Sequence, residues 1–213
     1  MIEIIPAVLP KSLEELEREL GKLVGVARSV QIDLAEKNIL ARQNEMPHWQ
    51  EFDFEFDLML EHPEREVEQC IALGASRIVV HAQNVGAREA LEALQGSRDG
   101  EFAIATGLAL QSHDSPEAME PFMGLYDFVQ VMGIDHIGKQ GEPPDPHGKA
   151  VELVQRLRNI YPTLQIQVDG AVAPKIKEYV AAGATRLVVG SAILTAEDPR
   201  AVYNALYTEA NAQ

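Results

Sequence analysis

The chain has 213 residues, of which 46% are hydrophobic and 24% are charged, and this ordinary composition argues against a disordered or fibrous protein. A net charge of −15 argues against a nucleic-acid partner or an anionic membrane surface, because both need clustered Lys and Arg. The single cysteine, Cys70, excludes an intramolecular disulfide, and no apolar run approaches the ~20 residues that cross a bilayer. We therefore expect a cytoplasmic protein without a membrane partner.

Short β-branched runs alternate with amphipathic segments along the whole sequence. Strands are predicted at residues 2–9, 30–34, 52–60, 77–81, 102–110, 127–132, 164–169 and 186–190. Helices are predicted at residues 12–27, 63–73, 87–94, 148–160, 174–182 and 199–210, with a short helix from Ser115. The first helix begins with the capping-box pattern Ser12-Leu13-Glu14-Glu15.

This alternation predicts the fold class. Strands separated by helices pair in parallel, because each return to the same edge of a sheet needs a crossover. Eight such units in 213 residues predict a single-domain (β/α)₈ barrel, a TIM barrel, over residues 1–213. An open doubly wound sheet is the alternative, but it would usually begin with a glycine-rich turn, and Leu9-Pro10-Lys11-Ser12 contains no glycine.

Polar residues recur on one face of five predicted strands. Since successive side chains point to opposite faces of a strand, the set expected to face the barrel interior is Gln31, Asp33, Glu55, Asp57, Met59, Val79, His81, Gln83, Gln130, Met132, Gln165, Gln167 and Asp169. A barrel filled only for stability would carry Val, Ile and Leu there. We therefore predict a solvated active-site cavity where Asp33, Asp57, His81 and Asp169 end their strands. The alternative is that some of them cap helices or lie on solvated loops.

Five segments of the sequence form a recognisable series. They are residues 57–64, 74–81, 129–132, 167–170 and 182–193. In their order and spacing they resemble the ribulose-phosphate 3-epimerase family over nearly the whole chain. The resemblance implies a sugar phosphate that loses its C3 proton to one Asp and regains a proton on the opposite face from a second Asp. It also implies a divalent metal held by two His and two Asp.

The resemblance assigns the acid–base pair to Asp33 and Asp169. Both histidine ligands of the family are replaced here, by Gln31 and Asp57. The implied metal-ligand set is therefore Gln31, Asp33, Asp57 and Asp169, and these oxygen donors suit Mg²⁺, Mn²⁺ or Ca²⁺ better than Zn²⁺ or Fe²⁺. The alternative is a site without metal, in which at least one of the converging carboxylates would take up a proton.

The resemblance also implies a phosphate site after the seventh and eighth strands. Backbone N–H groups there would bind the phosphate at Gly170, Ala171, Gly190 and Ser191. Further substrate contacts are expected at Met59, Met132, Gly138 and His81. Lys139 would either contact the anion or be a solvated loop charge, and a loop over residues 142–146 could close over the site.

The function expected from these residues is a sugar-phosphate epimerase or isomerase of pentose phosphate metabolism that works by two-carboxylate proton transfer through an enediolate. The missing histidines leave a second reading, a non-catalytic barrel that binds a phosphorylated metabolite. A phosphate-barrel lyase or decarboxylase is a weaker alternative, because its Asp-x-Lys-x-x-Asp pattern meets Ala35 at the Lys position. The expected partner is a phosphorylated sugar, and self-association into a homo-oligomer is left open.

Overall fold

A computed structural model describes residues 1–36, 39–41, 43–97, 103–139 and 141–212. Eight parallel strands pair in sequence order, and the last pairs with the first to close a barrel. The strands are β1 (Glu3–Val8), β2 (Ser29–Leu34), β3 (Asp53–Leu58), β4 (Ala75–His81), β5 (Ala105–Leu110), β6 (Phe128–Met132), β7 (Gln165–Asp169) and β8 (Arg186–Val189). The predicted (β/α)₈ barrel is confirmed. Phe102, the predicted start of the fifth strand, lies outside the described residues.

Helices surround this barrel. The α-helices are α1 (Leu13–Leu23), α2 (Val67–Ala72), α3 (Ala87–Ala93), α4 (Lys149–Ile160), α5 (Ile176–Ala182), α6 (Ser191–Leu194) and α7 (Pro199–Ala210). The predicted N-cap of α1 is present, since the Ser12 hydroxyl accepts the N–H of Glu15 at 3.1 Å. The helix ends at Leu23 rather than near residue 27, because Gly25 takes a left-handed φ of 70°.

Proline-containing starts modify two of the predicted helices. Pro63–Arg65 and Ala173–Lys175 form 3₁₀ turns immediately before α2 and α5. Further 3₁₀ segments are Leu94–Ser97 and Pro116–Phe122. A first turn with proline lacks one N–H donor, and the tighter i to i+3 bonding of a 3₁₀ turn satisfies the remaining groups.

The barrel wall separates an outer apolar core from a mixed interior. On β2, Val30, Ile32 and Leu34 are buried against the helices, as their alternation predicted. Among the described residues, the interior holds two small apolar clusters, Ile5, Ala7 and Val188 on one side and Val79, Ala109 and Phe128 on the other. Polar side chains fill the remaining interior space, and their arrangement defines the site. No helix in the described ranges is long and apolar enough to cross a membrane.

Candidate functional site

Three buried carboxylates meet inside the barrel near the carboxyl ends of its strands. Oxygen atoms of Asp33, Asp57 and Asp169 all lie within 4.8 Å of one another. The parallel register pairs Asp33 with Asp57 across β2 and β3, while β7 brings Asp169 from residues far along the chain. Asp33 and Asp169 are each 7% exposed, and Asp57 is fully buried. The structure thus brings together the three predicted acidic residues.

A cavity of about 260 Å³ opens above this carboxylate cluster. Its walls include most residues proposed for catalysis and substrate binding: Asp33, Met59, Met132, Gly138, Asp169, Gly170, Ala171, Gly190 and Ser191. Lys139 and Glu142, from the loop after β6, also line it. Gln31, Asp57 and His81 do not. They are fully buried and lie outside the cavity lining. The expectation that all four strand-end residues are solvated is therefore wrong for Asp57 and His81, because neighbouring side chains enclose them.

Gln31 directs its amino group, not its oxygen, at the carboxylates. Its Nε2 donates to Asp33 Oδ1 at 2.7 Å and to Asp169 Oδ2 at 3.1 Å. Its Oε1 accepts from Gln167 Nε2 at 3.1 Å. In this orientation Gln31 holds the two carboxylates by N–H donation, whereas the expected metal ligand would present oxygen. The ligand set that the geometry favours is therefore the three aspartates.

Arg186 fixes the direction of this amide network. Its Nε donates to Gln167 Oε1 at 2.7 Å, and a guanidinium has only donors. The Gln167 amino group must therefore face the other way, where it donates to Gln31, to Gln130 Oε1 at 2.7 Å and to Glu55. Because Gln130 accepts at its oxygen, its amino group turns to Asp57. One permanent cation thus sets the orientation of three carboxamides.

Asp57 receives a donor at each of its oxygens. Gln130 Nε2 donates to Oδ2 at 2.7 Å, and His81 Nε2 lies 2.8 Å from Oδ1. Burial opposes the charged imidazole of His81, but the charge of Asp57 and this hydrogen bond outweigh it, so the pKa of His81 is raised. The Nδ1 atom of His81 is buried and has no hydrogen-bond partner among the described residues.

A buried ion network lies beneath the carboxylates, and sequence reasoning missed its arginines. Arg186 and Arg77 each lie 3.0 Å from Glu55 Oε2, and Arg186 also pairs with Glu3. The Arg77 guanidinium lies 4.0 Å from the centroid of the Phe128 ring. The available signal was the strand alternation, because Arg77 shares the parity of Val79 and His81 on the interior face of β4.

Burial and mutual repulsion raise the proton affinity of the cluster. Desolvation, followed by the charges of Asp169 and Asp57, raises the pKa of Asp33 well above its usual range. Desolvation and the Asp57 charge raise the pKa of Asp169 to about 7, against the lowering effect of the Gln31 hydrogen bond. Three such carboxylates fit a hard divalent cation, whose charge would relieve the repulsion.

The rim of the cavity after β7 is held in a demanding backbone conformation. Gly170 has a φ of 96°, and Ala171 has a φ of 48°, which is uncommon for a residue with a side chain. A Cβ at Gly170 would lie 2.7 Å from Ile134 Cγ1. Non-glycine residues in the left-handed region persist where surrounding structure enforces them, and they concentrate at functional sites.

Comparison with known proteins identifies the family. The model of the ribulose-phosphate 3 epimerase family matches residues 3–194. The chain belongs to this family. A ribulose-phosphate 3-epimerase of Schizosaccharomyces pombe is 29% identical over 96% of this chain and 92% of its own length. The cytoplasmic isoform of Oryza sativa subsp. japonica is 30% identical over 70% of this chain and 64% of its own.

Solved structures extend the comparison at the level of the fold. The 3-hexulose-6-phosphate synthase of Salmonella typhimurium aligns with a TM-score of 0.72 at 15% identity, covering 98% of both chains. KGPDC from Streptococcus mutans, crystallised in complex with ribose 5-phosphate, aligns with a TM-score of 0.71 at 12% identity, covering 98% of this chain and 97% of that one. At such identities the similarity establishes the shared barrel only.

Proposed function

We propose that the protein is a cytoplasmic sugar-phosphate epimerase or isomerase in which Asp33 and Asp169 transfer the proton. The observation that carries this proposal is their joint position: they approach one cavity from β2 and β7. Inverting a carbon requires a base on one side of its plane and an acid on the other. Family membership supports the same reaction class.

The raised proton affinities suit the two carboxyl groups to this role. Because the pKa of Asp169 is about 7 and that of Asp33 is also raised, the cluster holds protons near neutral pH. One carboxylate then removes the substrate proton while the other carboxyl group delivers a proton to the opposite face. Gln31 donates to both, which keeps them at a fixed separation around the reacting carbon.

Asp33, Asp57 and Asp169 would also hold a hard divalent cation such as Mg²⁺ or Mn²⁺. When bound, such a cation supplies positive charge that stabilises the developing enediolate. At the other end of the cavity, the backbone at Gly170, Ala171, Gly190 and Ser191 would bind the phosphate. Lys139 lines the same cavity and adds a cationic charge that favours a phosphate.

A specific observation favours a second candidate, a barrel that binds a phosphorylated metabolite without turnover. Both histidines that the family uses are replaced, and Gln31, Gln130 and His81 contact carboxylate oxygens of the cluster. A cluster satisfied in this way can hold a ligand without reacting with it.

Hydrogen exchange separates the two candidates. The protein is incubated with ribulose 5-phosphate in D₂O with Mg²⁺, Mn²⁺ or Ca²⁺, and deuterium at C3 is measured by NMR. Epimerisation predicts incorporation that Asp33→Asn and Asp169→Asn abolish, while the surface control Asp53→Asn retains it. Calorimetric binding of the sugar phosphate with no exchange under any metal would instead establish the binding barrel.

A further inference from the structure

We propose that a second recess beside the catalytic cavity binds the hydroxyl-bearing end of the sugar, remote from its phosphate. This inference rests on the proposed function and adds a specificity site to it. The recess has a volume of about 270 Å³ and lies at the carboxyl ends of β4, β5 and β6. The residues that carry the argument are Met59, His81, Gln83, Asn84, Gln111 and Asp135.

The position of the recess matches the far end of a bound sugar phosphate. Met59 lines both the recess and the catalytic cavity, so the two adjoin. In the closed order of eight strands, β4 lies across the barrel from β8. A ligand whose phosphate lies at Gly190 and Ser191 therefore extends past Asp33 and Asp169 toward the recess.

The side chains of the recess suit neutral hydroxyl groups rather than an anion. Carboxamides of Gln83, Asn84 and Gln111 line it together with the carboxylate of Asp135, and no Lys or Arg does so among the described residues. The amides of Gln83 and Gln111 make no side-chain hydrogen bond within the described ranges. They are therefore available to donate to and accept from a polyol, while the nearby carboxylates repel a phosphate.

His81 supplies an independent observation that points to a ligand. Its ring is fully buried and borders the recess. Because its Nε2 is engaged by Asp57, Nδ1 is the remaining polar atom of the ring, and it has no partner in the described part of the chain. A hydroxyl group can either donate to Nδ1 or accept from it, so a sugar hydroxyl satisfies this atom in either protonation state.

Recognition of this kind discriminates by chain length. A site built from polar groups that pair with substrate hydroxyls disfavours ligands that lack them, since its own groups are then left unpaired. A sugar phosphate of five carbons reaches across the barrel mouth, whereas glycerol 3-phosphate occupies only the phosphate end. The recess is therefore expected to contribute to binding of the longer ligand alone.

Calorimetry on the full chain tests this assignment with two probes. Affinities for ribulose 5-phosphate and glycerol 3-phosphate are measured in Mg²⁺ for the wild type, Gln83→Leu/Gln111→Leu and the remote surface control Gln50→Leu. The double variant is expected to lose at least about ten-fold in affinity for ribulose 5-phosphate, with glycerol 3-phosphate changed less than about two-fold and the control unchanged. Both positions are solvent-accessible, so the fold is retained, and circular dichroism verifies this.

The remaining outcomes overturn the proposal in distinguishable ways. Unchanged ribulose 5-phosphate affinity in the double variant refutes the recess while the proposed function stands. Equal losses for both probes place the effect at the phosphate end and refute the recess as well. A wild type that binds neither probe refutes the proposed function together with this inference.

Discussion

Asp169 carries a functional charge that destabilises the metal-free fold, and replacing it should stabilise the protein. Its pKa rises from 3.8 to about 7 on folding, which corresponds to about 4 kcal/mol at 1.36 kcal/mol per unit. Asn at this position keeps an oxygen that accepts from Gln31 and removes one of three mutually repelling charges. For 213 residues, an unfolding entropy of about 2.1 cal/mol/K per residue converts this to a Tm increase of up to about 9 °C at pH 7.

The pH dependence gives this prediction a sign that can be tested. Because the folded-state pKa of Asp169 exceeds its unfolded value, the folded wild type binds more protons between about pH 4 and pH 7. Its stability is therefore fullest below the unfolded pKa and is lost as the pH rises through 7. The advantage of Asp169→Asn should be small near pH 4 and grow to its full size by pH 7.

Thermal unfolding in EDTA across pH 4 to 8 measures the effect, with Asp53→Asn as control, because Asp53 is half exposed and pairs with Arg28 at the surface. An Asp169→Asn variant no more stable than wild type at pH 7, or with an advantage independent of pH, would refute the electrostatic reasoning. Adding Mg²⁺ or Mn²⁺ should reverse the ranking, since the cation stabilises only the protein that retains its ligands.

Three further predictions follow from other parts of the barrel. Arg186→Met leaves the buried Glu55 short of a partner and should lower the unfolding free energy by about 3–5 kcal/mol in urea titrations, whereas Arg28→Met, which breaks an exposed pair, should cost under about 1 kcal/mol. Gly133→Ala places a Cβ 2.3 Å from the Gly170 carbonyl oxygen and should cost about 1–3 kcal/mol and weaken sugar-phosphate binding; Gly96→Ala, with open space around it, should do neither. Restoring the family's ligands by Gln31→His together with Asp57→His should raise Zn²⁺ affinity at least about ten-fold relative to Mg²⁺ by calorimetry, and an unchanged preference would contradict the ligand assignment.

The barrel itself was largely readable from the sequence because its determinants are local. The alternation of β-branched runs and amphipathic segments follows from periods of two and 3.6 residues, and it placed all eight strands. The same alternation put Gln31 and Asp33 on the interior face. The first helix was predicted too long because the effect of Gly25, whose φ is positive, was not used.

The polar interior shows where local patterns stop. The parity of β2, β3 and β7 predicted which side chains turn inward, but parity carries no information about partners 136 residues apart, such as Gln31 and Gln167. The direction in which the Gln31 amide points depends on Arg186, a donor-only group reached through Gln167. Likewise, whether Asp57 and His81 are solvated depends on how closely the strands approach above them.

The sequence by itself therefore determined the order of elements, the inward-facing residues and the family that their motifs resemble. Only the tertiary structure decided that three carboxylates converge within 4.8 Å, that an amide nitrogen rather than an oxygen faces them, and that one arginine enforces this orientation. The physical reason is that periodicity acts over neighbouring residues, whereas hydrogen-bond direction and desolvation are set by atoms that barrel closure brings together from distant strands.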